Sequence, residues 1–339
     1  MKTAPFTPRS LGAVLVLALT FGIAACGSDS SDGQSSTHND AAVQEVGAGD
    51  VAPECGKEKR EIKHELGTTT VTGTPKRVVV LEFSFVDAAI NSGVAPIGIA
   101  DDDDPKRLLP SLREKVGDYT SVGLRETPNL QVILGLKPDL IIADSERQEG
   151  IYDQLSKIAP TVEFPSLNAN YRQTLDSEQL AAVALNRCDE FKQNLDKHTA
   201  FIKKAAEAVP SDEKRKALFA IGTDKIFTAF SQAYFTDDVL AAVGIPASLD
   251  GKDGVASLEM NLETLTSTKP DIMFLARKGT GTIDETWESN PLWKSIPAIQ
   301  QKQLFMVDQN AWSRSRGIDA ATLIATEAIK DLYGKTVVP

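Results

Sequence analysis

The sequence is poor in residues that commonly bind metal ions, with three histidines and three cysteines in 339 residues. A receptor for a bare zinc or manganese ion needs several histidine and carboxylate ligands. His38 lies in a polar segment, and His64 and His198 lie in charged segments far apart in the chain. The histidine content therefore argues against a site for a bare metal ion.

Positive charge is in the minority as well. The chain has 36 lysines and arginines against 47 aspartates and glutamates, which gives a formal net charge of -11. This balance argues against nucleic acid as a partner and against nonspecific adhesion to membranes. The sequence also lacks a G-x-S-x-G elbow and a histidine pair with metal-ligand spacing, so a hydrolase is disfavoured.

A long apolar run occurs only near the N-terminus, where "LGAVLVLALTFGI" (Leu11 to Ile23) follows Lys2 and Arg9. It is too short for a permanent transmembrane helix of ~20 residues, so residues 1–25 are predicted to be an export signal. The run ends in "IAAC", which resembles the lipobox of bacterial lipoproteins. That resemblance implies a lipid on Cys26 that anchors the protein at the extracytoplasmic face of the cell membrane. An ordinary signal peptide with an incidental cysteine is the alternative.

The following segment, residues 26–54, is rich in serine, glycine and aspartate and has few residues that could enter a core. Such a composition predicts a flexible tether. The remaining chain is long enough for two core-forming units. Its two cysteines, Cys55 and Cys188, can form a disulfide in an exported protein, and two separate thiols are the alternative.

The chain contains a weak internal repeat. "NLQVILGLKPDLII" begins at Asn129, and "NLETLTSTKPDIMF" begins at Asn261. In each copy a helical spacing of apolar residues leads to a proline that cannot continue the helix, and a buried strand follows. A glycine suited to closing a short helix lies upstream of each copy, at Gly93 and Gly244. Two such units predict an α/β fold with mainly parallel sheets that helices cover on both faces.

The stretch from Glu178 to Val209 lacks proline and glycine, and its apolar residues recur at intervals of three or four. This spacing predicts a helix in two pieces, broken near Asn186 to Cys188. The second piece, 188–209, is expected to connect an N-terminal lobe at 55–187 with a C-terminal lobe at 210–339.

Five segments together resemble the iron–siderophore substrate-binding lipoproteins of ABC importers: "TPKRVVVLEFSFVDAAINSGVAPIGIA", "VGLRETPNLQVILGLKPDLIIAD", "YDQLSKIAPT", "NLETLTSTKPDIMFL" and "NPLWKSIPAIQQKQLFMVDQNAW". They follow the family order over nearly all of Thr74 to Tyr333. The resemblance implies a class III periplasmic-binding-protein-like fold, with two Rossmann-like lobes joined by a single long helix. It further implies a monomer without permanent cofactor or catalysis, which passes a ferric siderophore from the interlobe cleft to an ABC permease and its ATPase.

The segment "NAWSRSRGID" places two arginines close together in an acidic chain. In an extended segment, Arg314 and Arg316 would point the same way, with Trp312 on the same side. Guanidinium groups are always charged and can bind carboxylates in bidentate fashion, so the pair suits an anionic ligand. A solvated pair of surface arginines is the alternative.

Other arginines are expected in the same cleft. Arg125 lies in "VGLRETPN", a loop that the resemblance places at the cleft mouth, and Arg147 follows the strand "DLIIAD" at its carboxyl end, where open α/β sheets bind ligands. Further candidates for ligand contact are Arg277, Arg107, Phe83, Ser84 and Tyr234. The expected ligand is an anionic ferric siderophore, with the citrate or carboxylate type favoured and no direct protein ligand to the iron. A catecholate siderophore, haem or a corrinoid is the alternative.

Acidic residues suggest two further features. The run "DDDD" at Asp101 to Asp104 is expected to be a solvated acidic loop rather than a calcium site. Related importers place a glutamate after Asn-Leu in each lobe for docking to the permease. Glu263 matches this position in the second lobe, but the first lobe has Gln131 there, so either Glu126 takes its place or docking is asymmetric.

Overall fold

The computed structural model describes residues 54–339. The predicted export signal, the lipidation site Cys26 and the tether up to residue 53 lie outside the described residues. The strands are β1 Lys59–His64, β2 Gly67–Thr72, β3 Val78–Val80, β4 Gly98–Ile99, β5 Thr120–Ser121, β6 Leu140–Asp144, β7 Thr161–Phe164, β8 Ala217–Gly222, β9 Phe227–Phe230, β10 Ser257–Glu259, β11 Ile272–Arg277 and β12 Leu304–Met306.

The helices alternate with the strands along most of the chain, as a βαβ architecture requires. They are α1 Phe83–Asn91, α2 Pro110–Val116, α3 Leu130–Leu136, α4 Tyr152–Leu155, α5 Tyr171–Leu185, α6 Cys188–Ala208, α7 Phe235–Ala242, α8 Leu262–Thr268, α9 Ile283–Trp287, α10 Pro291–Ser295, α11 Pro297–Gln300 and α12 Ile318–Tyr333.

The first lobe contains a parallel sheet with the strand order β5-β4-β3-β6-β7. Its central strand β3 consists of three valines that are completely buried, because helices cover both faces of the sheet. All five carboxyl ends therefore meet at one edge. The prediction of a parallel α/β sheet is confirmed for this lobe.

The second lobe contains a five-stranded sheet with the order β10-β9-β8-β11-β12. Strands β8, β11 and β12 are parallel, whereas β9 and β10 are antiparallel to their neighbours. The antiparallel pairing follows from the chain: only four residues separate β8 from β9, and a parallel return needs a crossover of about a dozen residues.

The internal repeat corresponds to the same unit in both lobes. Asn129 and Asn261 accept hydrogen bonds from backbone N–H groups at the starts of α3 and α8. Both helices end at a lysine in the left-handed conformation, Lys137 with φ 49° and Lys269 with φ 52°. A proline and a buried strand follow in each case, so the predicted helix–turn–strand unit is confirmed twice.

A single long helix, α6, connects the two lobes, and a left-handed Asn186 (φ 57°) separates it from α5. Helix α12 returns from the second lobe and packs on α6 and α7, and also on α1 of the first lobe. One hydrophobic core consequently includes side chains from both lobes. The domain boundaries given above stay a prediction, and α12 is an element that both lobes share.

An N-terminal hairpin, which the sequence analysis did not predict, closes over the end of α5. Strands β1 and β2 pair antiparallel, and the fully buried Arg60 of β1 donates to the carbonyl oxygens of Val183 (2.9 Å) and Ala184 (3.2 Å). Beside it, Cys55 and Cys188 form a disulfide with Cα atoms 6.3 Å apart. The start of the folded region is thus attached to the connecting helix.

Among residues 54–339, none of the helices has the length and apolar character needed to cross a membrane.

Strand β7 carries a buried carboxyl group. Glu163 is fully buried, and neither of its carboxylate oxygens has a hydrogen-bond partner in the described part of the chain. Burial, followed by the negative charges of Asp144, Glu149 and Glu65, raises the pKa of Glu163 from 4.5 to about 8. The fold therefore favours the neutral form of this side chain.

We predict that Glu163→Gln makes the protein less sensitive to alkaline pH. Since the folded-state pKa is raised, the stabilising contribution of Glu163 is complete below about pH 4.5 and is lost as the pH rises through about 8. Between about pH 4.5 and about pH 8, the difference in free energy of unfolding between the variant and the wild type should therefore shift by about 2–5 kcal/mol in favour of the variant. Urea unfolding over a pH series measures the difference. Glu114→Gln, at an exposed position of α2, is the control; parallel pH profiles for Glu163→Gln and wild type would contradict the assignment.

Candidate ligand-binding cleft

The loops that follow the first-lobe strands bring polar side chains to one edge of the sheet. Glu82 follows β3, Asp102 follows β4, Arg125 follows β5 and Arg147 follows β6. Because the strands are parallel, these four residues lie at their common carboxyl edge, where open α/β sheets bind ligands. The second lobe faces this edge with the segment that precedes α12.

Glu82 is the centre of the charged cluster. Its carboxylate is completely buried and lies 2.8 Å from Arg125 Nη1, 3.5 Å from Arg147 Nε and 3.8 Å from Arg316 Nη1. Arg125 and Arg147 belong to the first lobe, whereas Arg316 comes from the segment after the second-lobe sheet. The structure thus brings together three of the four arginines that the sequence analysis favoured, across the two lobes.

Asp102 fixes the orientation of Arg125. Its carboxylate accepts hydrogen bonds from the Arg125 backbone N–H (2.9 Å), Nε (3.1 Å) and Nη2 (2.9 Å), and from Arg107 Nη1 (2.7 Å). Burial alone would raise the pKa of Asp102, but the bonds from Arg125 and Arg107 outweigh it and lower the pKa to about 2. Asp102 is therefore ionised, and it holds Arg107 beside the cluster.

The acidic run "DDDD" is not a solvated loop throughout, so that prediction is wrong for its first two members. Asp101 is fully buried and accepts hydrogen bonds from Tyr119 (2.8 Å) and Ser121 (2.5 Å). Asp102 binds two arginines, as described above. A local sequence pattern does not reveal these partners, because they lie up to 23 residues after the aspartates in the sequence.

Asp144, at the end of β6, positions the loops that hold Arg147. Its carboxylate accepts hydrogen bonds from the backbone N–H groups of Arg147 (2.7 Å), Ser166 (2.8 Å) and Leu167 (2.8 Å). The Leu167 carbonyl oxygen in turn accepts a hydrogen bond from Arg316 Nη2 (2.7 Å). A first-lobe carboxylate therefore organises a contact with the second-lobe arginine. Sequence reasoning missed Asp144 and the central role of Glu82.

The segment that carries Arg314 and Arg316 is not extended over its whole length, contrary to the expectation. Asn310–Arg314 forms a π-helical turn, and the chain becomes extended at Ser315. The turn directs Trp312 into the second-lobe core, where its side chain is completely buried and donates from Nε1 to Glu327 (2.6 Å). Trp312 therefore packs behind the cleft and does not line it, which corrects the prediction for this residue.

Arg316 and Arg314 have different surroundings. Arg316 is 3% exposed, and its Nη2 also donates to the Tyr234 hydroxyl (3.1 Å), but its Nε and Nη1 have no hydrogen-bond partner among residues 54–339. Arg314 donates to the Asn310 side chain (2.7 Å) and makes no ion pair with any described residue. Burial, then the positive charges of Arg107 and Arg125, lowers the pKa of Arg314, and the negative charges of Asp102 and Asp308 counter this only in part.

Two of three further predicted ligand residues, Phe83 and Tyr234, pack against arginines of the cluster. The Phe83 ring lies 4.2 Å from the Arg125 guanidinium carbon, and the Tyr234 ring lies 5.5 Å from that of Arg316. Ser84 is buried, with its hydroxyl oxygen 2.7 Å from that of Ser166. All three are less than one-tenth exposed, as are Arg125 and Arg316, and their contact with a ligand stays a prediction.

Arg277, a further candidate, is occupied by carboxylates of its own lobe. Its guanidinium lies 2.7 Å from Asp284, 2.9 Å from Glu285 and 3.3 Å from Glu288. These groups follow within eleven residues, so a local ion-pair network satisfies the charge. In the described part of the chain, no ion pair links Arg277 to the cluster around Glu82.

The two proposed docking glutamates differ in position. Glu263 is exposed in the first turn of α8 and lines a groove of about 460 Å³ together with Glu259 and Trp287. Glu126 lies at the mouth of the cleft, where its carboxylate contacts Arg147. Their role in docking stays a prediction.

The segment just after the arginines joins the lobes. Gly317 has φ 114°, and a Cβ atom there would lie 2.5 Å from the Asp87 carboxyl carbon and 2.1 Å from Glu178 Oε1. Only glycine suits this backbone conformation and close approach. Asp87 of α1 accepts hydrogen bonds from the N–H groups of Ile318 (3.2 Å) and Asp319 (3.0 Å), so a first-lobe carboxylate caps the helix that follows Arg316.

Neither described histidine belongs to the cluster. His64 contacts Thr69 (2.9 Å), and His198 lies between Tyr171 (2.5 Å) and Thr322 (3.0 Å). Residues 54–339 contain no group of three or more histidine, cysteine, aspartate or glutamate side chains that could hold a metal ion.

Comparison with known proteins gives consistent matches. Residues 78–311 match the family described as periplasmic binding protein. The chain is 42% identical over 279 residues to the Fe(3+)-citrate-binding protein YfmC of Bacillus subtilis (strain 168), covering 82% of this chain and 88% of that protein. It is 38% identical over 272 residues to the Fe(3+) dicitrate-binding periplasmic protein FecB of Escherichia coli (strain K12), covering 79% and 89%.

A solved structure has the same architecture. Staphylococcus aureus SirA complexed with staphyloferrin B superposes with a TM-score of 0.71 at 26% identity, covering 80% of this chain and 98% of that one. This chain has the two sheet lobes and the long connecting helix of the class III binding-protein fold. With the family match over residues 78–311, the conclusion is that this chain belongs to the periplasmic binding protein family.

Proposed function

We propose that the protein is the extracytoplasmic substrate-binding component of an ABC importer and that it binds an anionic ferric siderophore of the citrate type. The observation that carries this proposal is the convergence of arginines from both lobes on one buried cluster. The similarity to the citrate-binding proteins YfmC and FecB supports the same ligand class. On this proposal the protein is a binding protein without enzymatic activity.

The charge of the cluster favours a ligand with several carboxylates. Arg107, Arg125, Arg147, Arg314 and Arg316 outnumber the carboxylates that contact them. Guanidinium groups bind carboxylates through paired hydrogen bonds, and burial strengthens such bonds because water competes less. A ferric citrate complex carries excess negative charge on carboxylate oxygens, so it would neutralise the positive charge of the arginine cluster. The protein would not need to supply a ligand to the iron.

The proposal includes a lipid on Cys26 as the membrane anchor, with an ABC permease and its ATPase as partners. Docking would use carboxylates that meet basic residues of the permease, one from each lobe. Glu263 is suited to this role in the second lobe because it is exposed and lies away from the arginine cluster.

We predict that the protein binds ferric citrate and discriminates against ferric chelates that lack anionic charge. The panel for isothermal titration calorimetry consists of ferric citrate, a neutral ferric tris-hydroxamate, an anionic ferric tris-catecholate and haem. Ferric citrate should bind with an affinity that falls as salt is added, because screening weakens the charge interactions. Tight binding of the hydroxamate together with no binding of ferric citrate would reject the proposal. Preference for the catecholate would keep the anion site and change the ligand class.

We predict that Arg314→Ala weakens ferric citrate binding by about 1.5–3 kcal/mol, the range for hydrogen bonds to charged groups. Arg314 makes no ion pair with the described residues, so its removal leaves no carboxylate unpaired and the effect reports on the ligand. Calorimetric Kd values for the variant and for Arg172→Ala, an exposed arginine of α5, provide the comparison. Equal affinity of wild type and Arg314→Ala would exclude Arg314 from the binding site.

For docking, we predict that Glu263→Lys abolishes uptake and leaves ferric citrate affinity unchanged. The substitution places a positive charge where a basic permease surface would dock, and like charges facing each other across an interface cost several kcal/mol. Uptake of radioactive iron in cells measures transport, and calorimetry on the purified variant measures binding. Glu114→Lys is the control at an exposed position of the other lobe. Normal uptake by Glu263→Lys would show that docking does not depend on this residue.

A further inference from the structure

The carboxylates that contact the arginine cluster are of two kinds. Glu82 and Asp102 are inside it, with side chains 0% and 7% exposed, and each contacts two or more arginines. Glu126 also contacts the cluster, through Arg147, but its side chain is 69% exposed. Glu126 therefore joins the cluster from the solvent side.

Arg147 has an incomplete set of partners without Glu126. Its side chain is 8% exposed, its Nε has no hydrogen-bond partner among residues 54–339, and Glu82 lies 3.5 Å from that atom. Burial lowers the pKa of Arg147, and the positive charges of Arg125 and Arg316 lower it further. The negative charge of Glu82 acts in the opposite direction but does not outweigh them. The single carboxylate of Glu82 serves three guanidinium groups, so Arg147 needs a further anion.

The backbone around Glu126 is held independently of its side chain. The preceding residue donates from its N–H to Asp102 (2.9 Å), and its carbonyl oxygen accepts a hydrogen bond from Gln148 Nε2 (2.6 Å). A bridge between Gly123 and Pro128 closes the loop. Departure of the Glu126 carboxylate from Arg147 thus requires rotation of one exposed side chain, without movement of the loop.

We propose that Glu126 is a displaceable counter-ion: it pairs with Arg147 in the ligand-free protein, and a carboxylate of the ligand takes its place. This inference rests on the proposed function of the cleft as an anion site. An exposed carboxylate stays solvated when it leaves, so the exchange costs little, whereas removal of the buried Glu82 would leave unpaired charge. A ligand must displace Glu126 from Arg147 in order to bind. An anion with several carboxylates makes more contacts in return than a small monovalent anion does, so it displaces Glu126 more easily.

Removal of the Glu126 charge should therefore tighten binding. Calorimetric titration with ferric citrate is expected to give a Kd about 3- to 10-fold lower for Glu126→Gln than for wild type, since the competing charge is gone. Glu126→Asp keeps the charge on a shorter side chain and should lower the Kd by less than Glu126→Gln does. Glu114→Gln removes the same charge from an exposed site on α2 and should leave the Kd unchanged. A merely structural role for Glu126 predicts weaker binding, the opposite sign.

A second measurement tests the ion pair without any ligand. In a double-mutant cycle of thermal unfolding, Glu126→Gln should lower the Tm of the ligand-free wild type and have no effect in an Arg147→Gln background. An equal effect in both backgrounds would show that the two residues do not pair and would overturn the inference.

The outcomes separate this inference from the proposed function. Wild-type binding of ferric citrate with an unchanged or higher Kd for Glu126→Gln overturns the counter-ion role and leaves the anion site standing. Failure of wild type and all variants to bind ferric citrate rejects the proposed ligand, and the counter-ion role falls with it.

Discussion

A buried carboxylate among arginines is the interaction on which the cleft depends. Glu82 lies at the end of a fully buried strand and is shared by arginines of two lobes. Several guanidinium groups at such short range repel one another, and each loses hydration on burial. A fixed anion at their centre offsets both effects. The cluster can thus keep an excess of positive charge without dispersing to the surface.

The fold supplies this arrangement through its parallel strands. The carboxyl ends of β3 to β6 deliver their polar side chains to one edge, and Asp144 couples the loops after β6 and β7. On the other side, Asp87 and the left-handed Gly317 fix the start of α12 directly after Arg316. Residues of both lobes therefore contact one another directly beside Arg147 and Arg316. A ligand that binds these arginines would lie next to the segments that connect the lobes.

The difference between fixed and exposed carboxylates suggests how such a site can be selective. Glu82 and Asp102 organise the arginines, and their burial makes them a permanent part of the protein. Glu126 contacts Arg147 from the solvent side. A site that is partly neutralised before the ligand arrives favours ligands with several anionic groups at matching positions. This type of selectivity comes from charge number and geometry, and it needs no direct contact with the iron.

The sequence by itself determined the parts of this protein that depend on local pattern. The repeat at Asn129 and Asn261 and the proline-free helix before Pro210 follow from periodicity and capping chemistry, and the position of Arg147 follows from the predicted strand that precedes it. Tertiary structure decided which charges meet: the turn at 310–314 sends Trp312 into the core, and Asp102 binds arginines where a solvated loop was expected. These partners come from separate loops and lobes, and side-chain pairing across such distances depends on how the strands are arranged in space, which a local pattern does not encode.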